Sequence, residues 1–441
     1  MNILFISLGC DKNLVDSEVM LGLLDAKGYQ MVDDETQADV IVVNTCCFIH
    51  DAKEESIRTI LEMAEYKETG RLKALVVTGC LAQRYQQEIL EEIPEVDAVL
   101  GTTSYDQIVR AVEDSLAGKG GVELRSLSEL PQAAGKRLVT TGGHYAYLKI
   151  AEGCDKHCTY CIIPKIRGNY RSVPMERLLE EAGELAGQGV KELILVAQET
   201  TLYGKDLYGE KSLHRLLREL CKINGIRWIR ILYCYPEEVD DELIRVIKEE
   251  KKICRYLDLP IQHASDGILK KMGRRTSKEQ LREVVAKLRE EIPDIAIRTT
   301  LITGFPGETK EQHEELMDFV DEMEFDRLGV FTYSLEEDTP AADLPDQIEE
   351  EVKEERQAEL MELQQEIAFE QADAMIGREV LVMIEGKVAD EDAYVGRTYR
   401  DAPNVDGLIF VQTEEELVTG DFARVRVTGA LEYDLIGELI V

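Results

Sequence analysis

The sequence predicts an α/β protein in three parts: an N-terminal parallel α/β domain, a central partial (β/α)6 barrel of TIM-like architecture, and a small antiparallel β-barrel at the C-terminus. Three observations carry this. Short apolar runs alternate with amphipathic helical patterns in two separate series, the pattern of parallel strands joined by crossover helices. The second series has six such units, too few for the eight of a closed barrel. Beyond residue 376 the pattern changes to short alternating strands broken by Gly and Asp turns, which fits a small antiparallel barrel.

In the first part, residues 1–125, apolar runs at 2–8, 38–44 and 72–78 read as strands, with helical patterns at 17–27, 53–65 and 83–91 between and after them. Each strand ends close to a cysteine: Leu-Gly-Cys10, Asn-Thr-Cys46 and Thr-Gly-Cys80. In an open parallel sheet those strand ends share one edge, where ligands bind. The three thiols therefore converge as a candidate iron-sulfur site with one iron left open. Cysteines are also common as buried residues at strand ends, but the same offset occurs three times. Cys47 adjoins Cys46, and only one of the two can face the site because neighbouring strand residues point to opposite sides. The matching offset favours Cys46.

Residues 126–140, with Gly118-Lys-Gly-Gly121 before them and Pro131 and Gly135 within them, read as a surface connection. The second series follows over 141–345. Its expected strands are 145–151, 192–197, 228–233, 256–261, 295–302 and 329–333, and its helices 175–187, 212–223, 241–251, 277–290 and 310–322. An incomplete barrel leaves a side open to a large substrate. The notable motifs fall at strand C-terminal ends, where barrels carry their chemistry. Gln198-Glu199-Thr200-Thr201 could accept from an ammonium or hold a ribose hydroxyl, though such a loop is more often simply solvated. Gln262-His263 offers an imidazole that is as readily an ordinary packed histidine. Gly304-Phe-Pro-Gly307 is a tight turn. Cys221, Cys234 and Cys254 lack ligand spacing and read as core.

The strongest motif follows the first of these strands: Cys154-Asp-Lys-His-Cys158-Thr-Tyr-Cys161. Three thiolates on one loop can hold three irons of a [4Fe-4S] cube, leaving the fourth iron open to bind a small molecule. A structural zinc site would need a second Cys pair or a His pair, which the sequence lacks. Three thiols packed as small hydrophobes would not sit in so polar a loop.

Residues 346–375 read as one charged amphipathic helix, and 376–441 as the small barrel. Such barrels often bind nucleic acid through basic and aromatic surfaces. This one carries six Lys and Arg against fourteen Asp and Glu. The whole chain has 441 residues and a formal charge of −36, from 87 acids and 51 bases, which points to a basic partner rather than a polyanion. Ten scattered cysteines look reduced, not like a secreted disulfide framework. No apolar run reaches membrane-spanning length, and the start lacks a basic leader, so a cytoplasmic location without membrane contact is expected.

Taken together, Gly9-Cys10-Asp11-Lys12-Asn13-Leu14-Val15-Asp16-Ser17-Glu18, and the stretch from Tyr147 to Cys154 on through Cys161-Ile-Ile-Pro-Lys-Ile-Arg-Gly168, resemble the radical S-adenosylmethionine methylthiotransferases. Within that family the chain is similar to the RimO type, which modifies an aspartate of small-subunit ribosomal protein S-twelve. Asp11 stands where that type usually has Pro. The resemblance covers essentially the whole chain and implies a TRAM domain at the C-terminus. It implies two [4Fe-4S] clusters, one on Cys154, Cys158 and Cys161 and an auxiliary one on Cys10, Cys46 and Cys80, with S-adenosylmethionine both as methyl donor and as source of a 5'-deoxyadenosyl radical. It further implies S-adenosylmethionine contacts at Tyr160, Gln198 and Glu199, an external electron donor, and a basic ribosomal protein as substrate. No general acid or base is identifiable. The alternatives are a tRNA methylthiotransferase acting on a modified adenosine, which the acidic C-terminal barrel disfavours, and a non-catalytic iron-sulfur scaffold or sulfur carrier.

Overall fold

The computed structural model describes residues 1–131 and 137–440. Gly135 of the expected connection and Val441, the last residue of the expected small barrel, lie outside the described residues.

The N-terminal part is a parallel sheet of β1 (Asn2–Ser7), β2 (Gln30–Met31), β3 (Val40–Thr45), β4 (Ala74–Gly79), β5 (Ala98–Leu100) and β6 (Val122–Glu123), in the order β2-β1-β3-β4-β5-β6. Helices α1 (Asp11–Ala26), α2 (His50–Ala64), α3 (Tyr66–Thr69), α4 (Cys80–Glu92) and α5 (Ile108–Leu116) complete it. β3 and β4 are buried along their whole length, as the continuous Val and Ile runs of a two-faced parallel sheet require. α1 begins at Asp11, six residues before the expected start at 17. Its first turns carry Asn13, Asp16, Ser17 and Glu18, all buried, so the face that docks is polar and the apolar period does not show it.

The central part holds β7 (Tyr145–Lys149), the small ladder β8 (Ala151–Glu152) with β9 (Arg171–Ser172), β10 (Glu192–Val196), β11 (Trp228–Ile231), β12 (Ile253–Asp258), β13 (Ala296–Thr303) and β14 (Arg327–Thr332). The six long strands form one parallel sheet, β14-β13-β12-β11-β10-β7. Around it lie α6 (Ile163–Arg167), α7 (Met175–Gly187), α8 (Lys205–Tyr208), α9 (Leu213–Cys221), α10 (Asp241–Glu249), α11 (Asp266–Lys271), α12 (Lys278–Glu291) and α13 (Lys310–Met323). β12 lies three residues earlier than expected. Pro260, with no N–H to give a ladder, cannot continue a central strand, and the chain leaves the sheet at Asp258.

α14 (Glu350–Asp373) leads to a closed barrel of β15 (Glu379–Lys387), β16 (Ala393–Arg397), β17 (Ile409–Gln412), β18 (Phe422–Leu431) and β19 (Asp434–Leu439). This barrel seats itself on the N-terminal ends of the central strands. Arg397 and Arg230 share the buried Glu192 at 2.8 Å each, Tyr256 donates to Asp406 at 2.7 Å, and Phe422 meets Trp228 edge to face. Met383 and Ala402 join Tyr145, Tyr147, Ile194, Tyr256 and Ala296 inside the central barrel, and Val15 of α1 joins the same cluster. The small barrel thus stoppers the end of the central barrel opposite the cysteine motifs.

The N-terminal part spans the other end. On the β7 side Asp16 pairs with Lys149, and on the β14 side Arg84 pairs with Glu336 at 3.3 Å and donates to the Glu337 carbonyl at 2.8 Å. The connection before β7 is no loose tether where it is described: Arg137 is buried, pairing with Glu18 at 3.0 Å and Glu181 at 2.7 Å, while Thr140 donates to Glu18. Among the described residues no helix is long and apolar enough to cross a membrane.

Candidate metal centres

Cys46 and Cys80 follow directly on β3 and β4, and Cys10 stands three residues past the end of β1; the C-terminal ends of these three neighbouring strands share one edge. Two glycines bring them together. Gly9 (φ +90°) lies against Cys46, where an added Cβ would come within 2.8 Å of the Cys46 Cβ. Gly79 (φ +93°) lies against β3, where an added Cβ would meet Asn44 Oδ1 at 2.3 Å and the Thr45 carbonyl at 2.5 Å. Both positions combine left-handed backbone with close approach, which only glycine tolerates. Cys47 is fully buried in the apolar core with Ile41, Val43 and Val77, a cluster that also takes in Cys80. Burial pushes the Cys46 thiol up to about 12, and Cys80 and Cys10 nearby push it in the same direction. Taking up iron must therefore displace protons from these thiols.

Cys154, Cys158 and Cys161 lie on the loop between β8 and α6. Burial raises the Cys154 thiol to about 11. His157 at the crest of the loop has φ +52°, a left-handed turn that folds the three thiols back on one another. Around them, Tyr235 Oη lies 3.6 Å from Cys158 Sγ, and Arg274 stacks over the Tyr235 ring at 4.2 Å with Lys156 at 4.8 Å. These cations suit a cluster whose thiolates bring net negative charge. All ten cysteines are free thiols. Among the described residues no three His, Cys, Asp or Glu side chains close on a single ion. A cubane needs wider spacing, since each thiolate takes a different iron.

Arg167 ties the central part to the N-terminal trio. It stands six residues past Cys161 and is fully buried. Its Nη2 donates to Asn13 Oδ1 at 3.0 Å and reaches Cys80 Sγ at 3.5 Å, while its Nη1 pairs with Asp16 at 2.8 Å and Glu152 at 3.2 Å. Lys149 completes the quartet through Glu152 at 2.7 Å and Asp16. Burial alone would raise the Glu152 carboxyl, but Arg167 and Lys149 outweigh it and hold the group down at about 2.

The other expected contacts fall in distinct places. Tyr160 packs edge to face on Phe305 of the Gly304–Gly307 turn. Gln198 donates to Glu152 at 3.0 Å, which ties it to the quartet, and its Oε1 has no partner. Glu199 is fully buried. One oxygen accepts from the Thr201 amide at 2.9 Å and the other stands 3.8 Å from Lys156; burial pushes its carboxyl up to about 7, against the pull of Thr201 and Lys156. His263 is an ordinary packed histidine: Nδ1 accepts from the Ser265 amide at 2.9 Å and Nε2 lies 3.5 Å from Glu308. Cys234 and Cys254 are core, and Cys221 is partly buried beside it. The sequence reading did not single out Arg167, Tyr235, Arg274 or Lys156. Nothing in the local sequence sets them apart from solvated bases and core aromatics.

Comparison with known proteins agrees with this architecture. Residues 2–101 match the family described as uncharacterized protein family UPF0004, 148–320 the radical SAM superfamily, and 376–440 the TRAM domain. The radical SAM methyltransferase TsrM from Kitasatospora setae, solved with cobalamin and a [4Fe-4S] cluster bound, shares the fold with TM-score 0.57 at 15% identity, over 77% of this chain and 76% of that one. Ribosomal protein uS12 methylthiotransferase RimO of Lachnoclostridium phytofermentans is 67% identical over 99% of both chains. The proteins of that name from Acetivibrio thermocellus and Clostridioides difficile are 52% identical, over 99% of this chain and 97% of the relative, and 50% identical, over 98% of each. With such identity along nearly its whole length, the chain belongs to the RimO family of radical SAM ribosomal protein uS12 methylthiotransferases.

Proposed function

We propose that the chain inserts a methylthio group at the β-carbon of an aspartate in ribosomal protein uS12, using one S-adenosylmethionine as methyl donor and one as radical source. The observation that supports this reading is a buried interface between the N-terminal and central parts, where Arg167, six residues past Cys161, reaches Cys80 Sγ at 3.5 Å and pairs with Asp16 and with Glu152, two residues before Cys154. In this reading Cys154, Cys158 and Cys161 hold one [4Fe-4S] cluster and Cys10, Cys46 and Cys80 a second. The bound groups supply one-electron cleavage of S-adenosylmethionine and a sulfur donor beside the target carbon, with the electron coming from an external donor.

The chain's own residues contribute binding, charge and exclusion of water. Arg274, stacked on Tyr235 beside Cys158, brings positive charge that suits a carboxylate ligand, while Lys156 is taken up by Glu238. Tyr160, Gln198 and Glu199 are the proposed S-adenosylmethionine contacts. Glu199 keeps one carboxylate oxygen without a hydrogen-bond donor, as an acceptor for an ammonium requires. The N-terminal part covers the mouth and the small barrel stoppers the far end, so a reactive radical is shielded from water. The acidity of that small barrel acts at a distance, by attracting a basic ribosomal protein.

Anaerobically reconstituted, reduced enzyme incubated with S-adenosylmethionine and purified uS12 tests the reading. It predicts a methylthio group on one aspartate by mass spectrometry, together with 5'-deoxyadenosine. Unmodified uS12 alongside tight, salt-sensitive binding and modification of tRNA would overturn it.

A further inference from the structure

Among the described residues four lysines are buried: Lys12, Lys149, Lys156 and Lys353. Three of them are paired, Lys149 with Asp16 and Glu152, Lys156 with Glu238, and Lys353 with Glu350. Lys12, only 7% exposed, is the exception. Its ammonium rests on the face of Tyr233, 3.2 Å from the ring centroid, and among the described residues it makes no ion pair or hydrogen bond. Burying a charge without a counter-ion is costly, and a fold keeps such a group only where something else is gained.

The location supplies a reason. Lys12 stands two residues from Cys10. Tyr233 stands two residues before Tyr235, whose hydroxyl lies 3.6 Å from Cys158 Sγ, so Lys12 is tied to the first trio through Cys10 and its aromatic platform to the second through Tyr235. Tyr233 holds a left-handed backbone, φ +60°, unusual for a tyrosine, and this turn lays its ring beneath Lys12. Two carboxylates stand nearby, and neither closes an ion pair with Lys12 among the described residues. Asp11 accepts from Tyr233 Oη at 3.1 Å, and Asp258, which accepts from the Tyr233 amide at 2.9 Å, feels the charges of both Arg298 and Lys12. The aromatic platform steadies a cation but leaves its charge available to an anion.

We infer that Lys12 is the specificity-determining cation for the target side chain, its ammonium receiving the carboxylate of the substrate aspartate. The inference rests on the aspartate reading proposed above. Gripping that carboxylate fixes the adjacent β-carbon one bond away, between the thiols of the two trios. The grip also separates Asp from Asn, because a neutral amide forfeits the charge-assisted hydrogen bond. The other carboxylate that could come here is that of S-adenosylmethionine, and the experiment separates the two.

Reconstituted Lys12→Met and Lys12→Arg enzymes are compared with the unaltered enzyme on uS12 carrying Asp or Asn at the target position. Substrate affinity is measured without reductant, and 5'-deoxyadenosine is measured without uS12. The unaltered enzyme should prefer Asp by roughly tenfold to a hundredfold. Lys12→Met should lose that preference and Lys12→Arg recover much of it, with iron content and substrate-free 5'-deoxyadenosine formation unchanged. If Lys12→Met keeps the Asp preference, or if its primary defect is S-adenosylmethionine cleavage, the inference is overturned. Failure of the functional reading looks different: the unaltered enzyme then leaves Asp-containing uS12 unmodified.

Discussion

The two cysteine trios of this molecule are alike in composition and opposite in construction. Cys154, Cys158 and Cys161 lie on one loop, and their spacing is written in consecutive residues. Cys10, Cys46 and Cys80 come together only when β1, β3 and β4 lie side by side with Gly9 and Gly79 in left-handed backbone. The first site is local and the second is a product of tertiary structure. Damage to the N-terminal sheet should therefore empty the second site while sparing the first.

The largest expected effect comes from the thiols themselves. Cys154→Ala should abolish 5'-deoxyadenosine formation, whereas Cys46→Ala should preserve it and abolish methylthio transfer. Chromatography of the nucleoside and mass analysis of uS12 read the two activities separately. If Cys46→Ala also stops 5'-deoxyadenosine formation, the division of labour between the trios is wrong.

Next is the bridge. Arg167→Met removes one cation from a buried quartet and leaves Asp16 and Glu152 to share Lys149 alone, which should cost about 3–5 kcal/mol. Denaturant unfolding would show the loss, and an unchanged midpoint would mean that the interface is not held by these charges.

Gly79→Ala sharpens the contrast. Its new methyl group would meet the Asn44 side chain and the β3 backbone, at about 1–3 kcal/mol of strain. Iron should be lost first from the N-terminal trio, visible as a fall in iron content with 5'-deoxyadenosine formation retained.

Acid should loosen the same interface. The Glu152 carboxyl is held at about 2, below its ordinary value of 4.5, so its contribution is complete above about pH 4.5 and disappears as the pH falls towards 2. Melting temperatures of the iron-free chain across that window would register the decline. Smallest is Cys47→Ala, which trims a core thiol at about 1 kcal/mol and should leave iron content unchanged.

What could be read from the sequence follows the same division. The triplet at Cys154 was legible because its spacing is local, and the second trio because a repeated strand-end offset survives without knowledge of strand order. Alternation along β3 said only that one of Cys46 and Cys47 can face the site, and the repeated offset favoured Cys46. The quartet was not legible. Asp16, Lys149, Glu152 and Arg167 are charges of the kind that usually solvate a surface, and only the docking of α1 on β7 turns them inward. The small barrel was recognised by its alternation, but its seat beneath the central strands depends on Arg397, Asp401 and Asp406 meeting partners far away in sequence. β5 and α5 went without an expected range, although α5 has apolar residues at Ile108, Val109, Val112 and Leu116, so its helical period is present in the sequence.

The most direct test of two separate metal centres is Mössbauer spectroscopy with iron quantification on the reconstituted enzyme and on two triple variants. One variant replaces Cys10, Cys46 and Cys80 with Ala, the other Cys154, Cys158 and Cys161. The account predicts that each triple variant keeps about half the iron of the unaltered enzyme, all of it in [4Fe-4S] form. Full iron in the Cys10, Cys46 and Cys80 variant would contradict it.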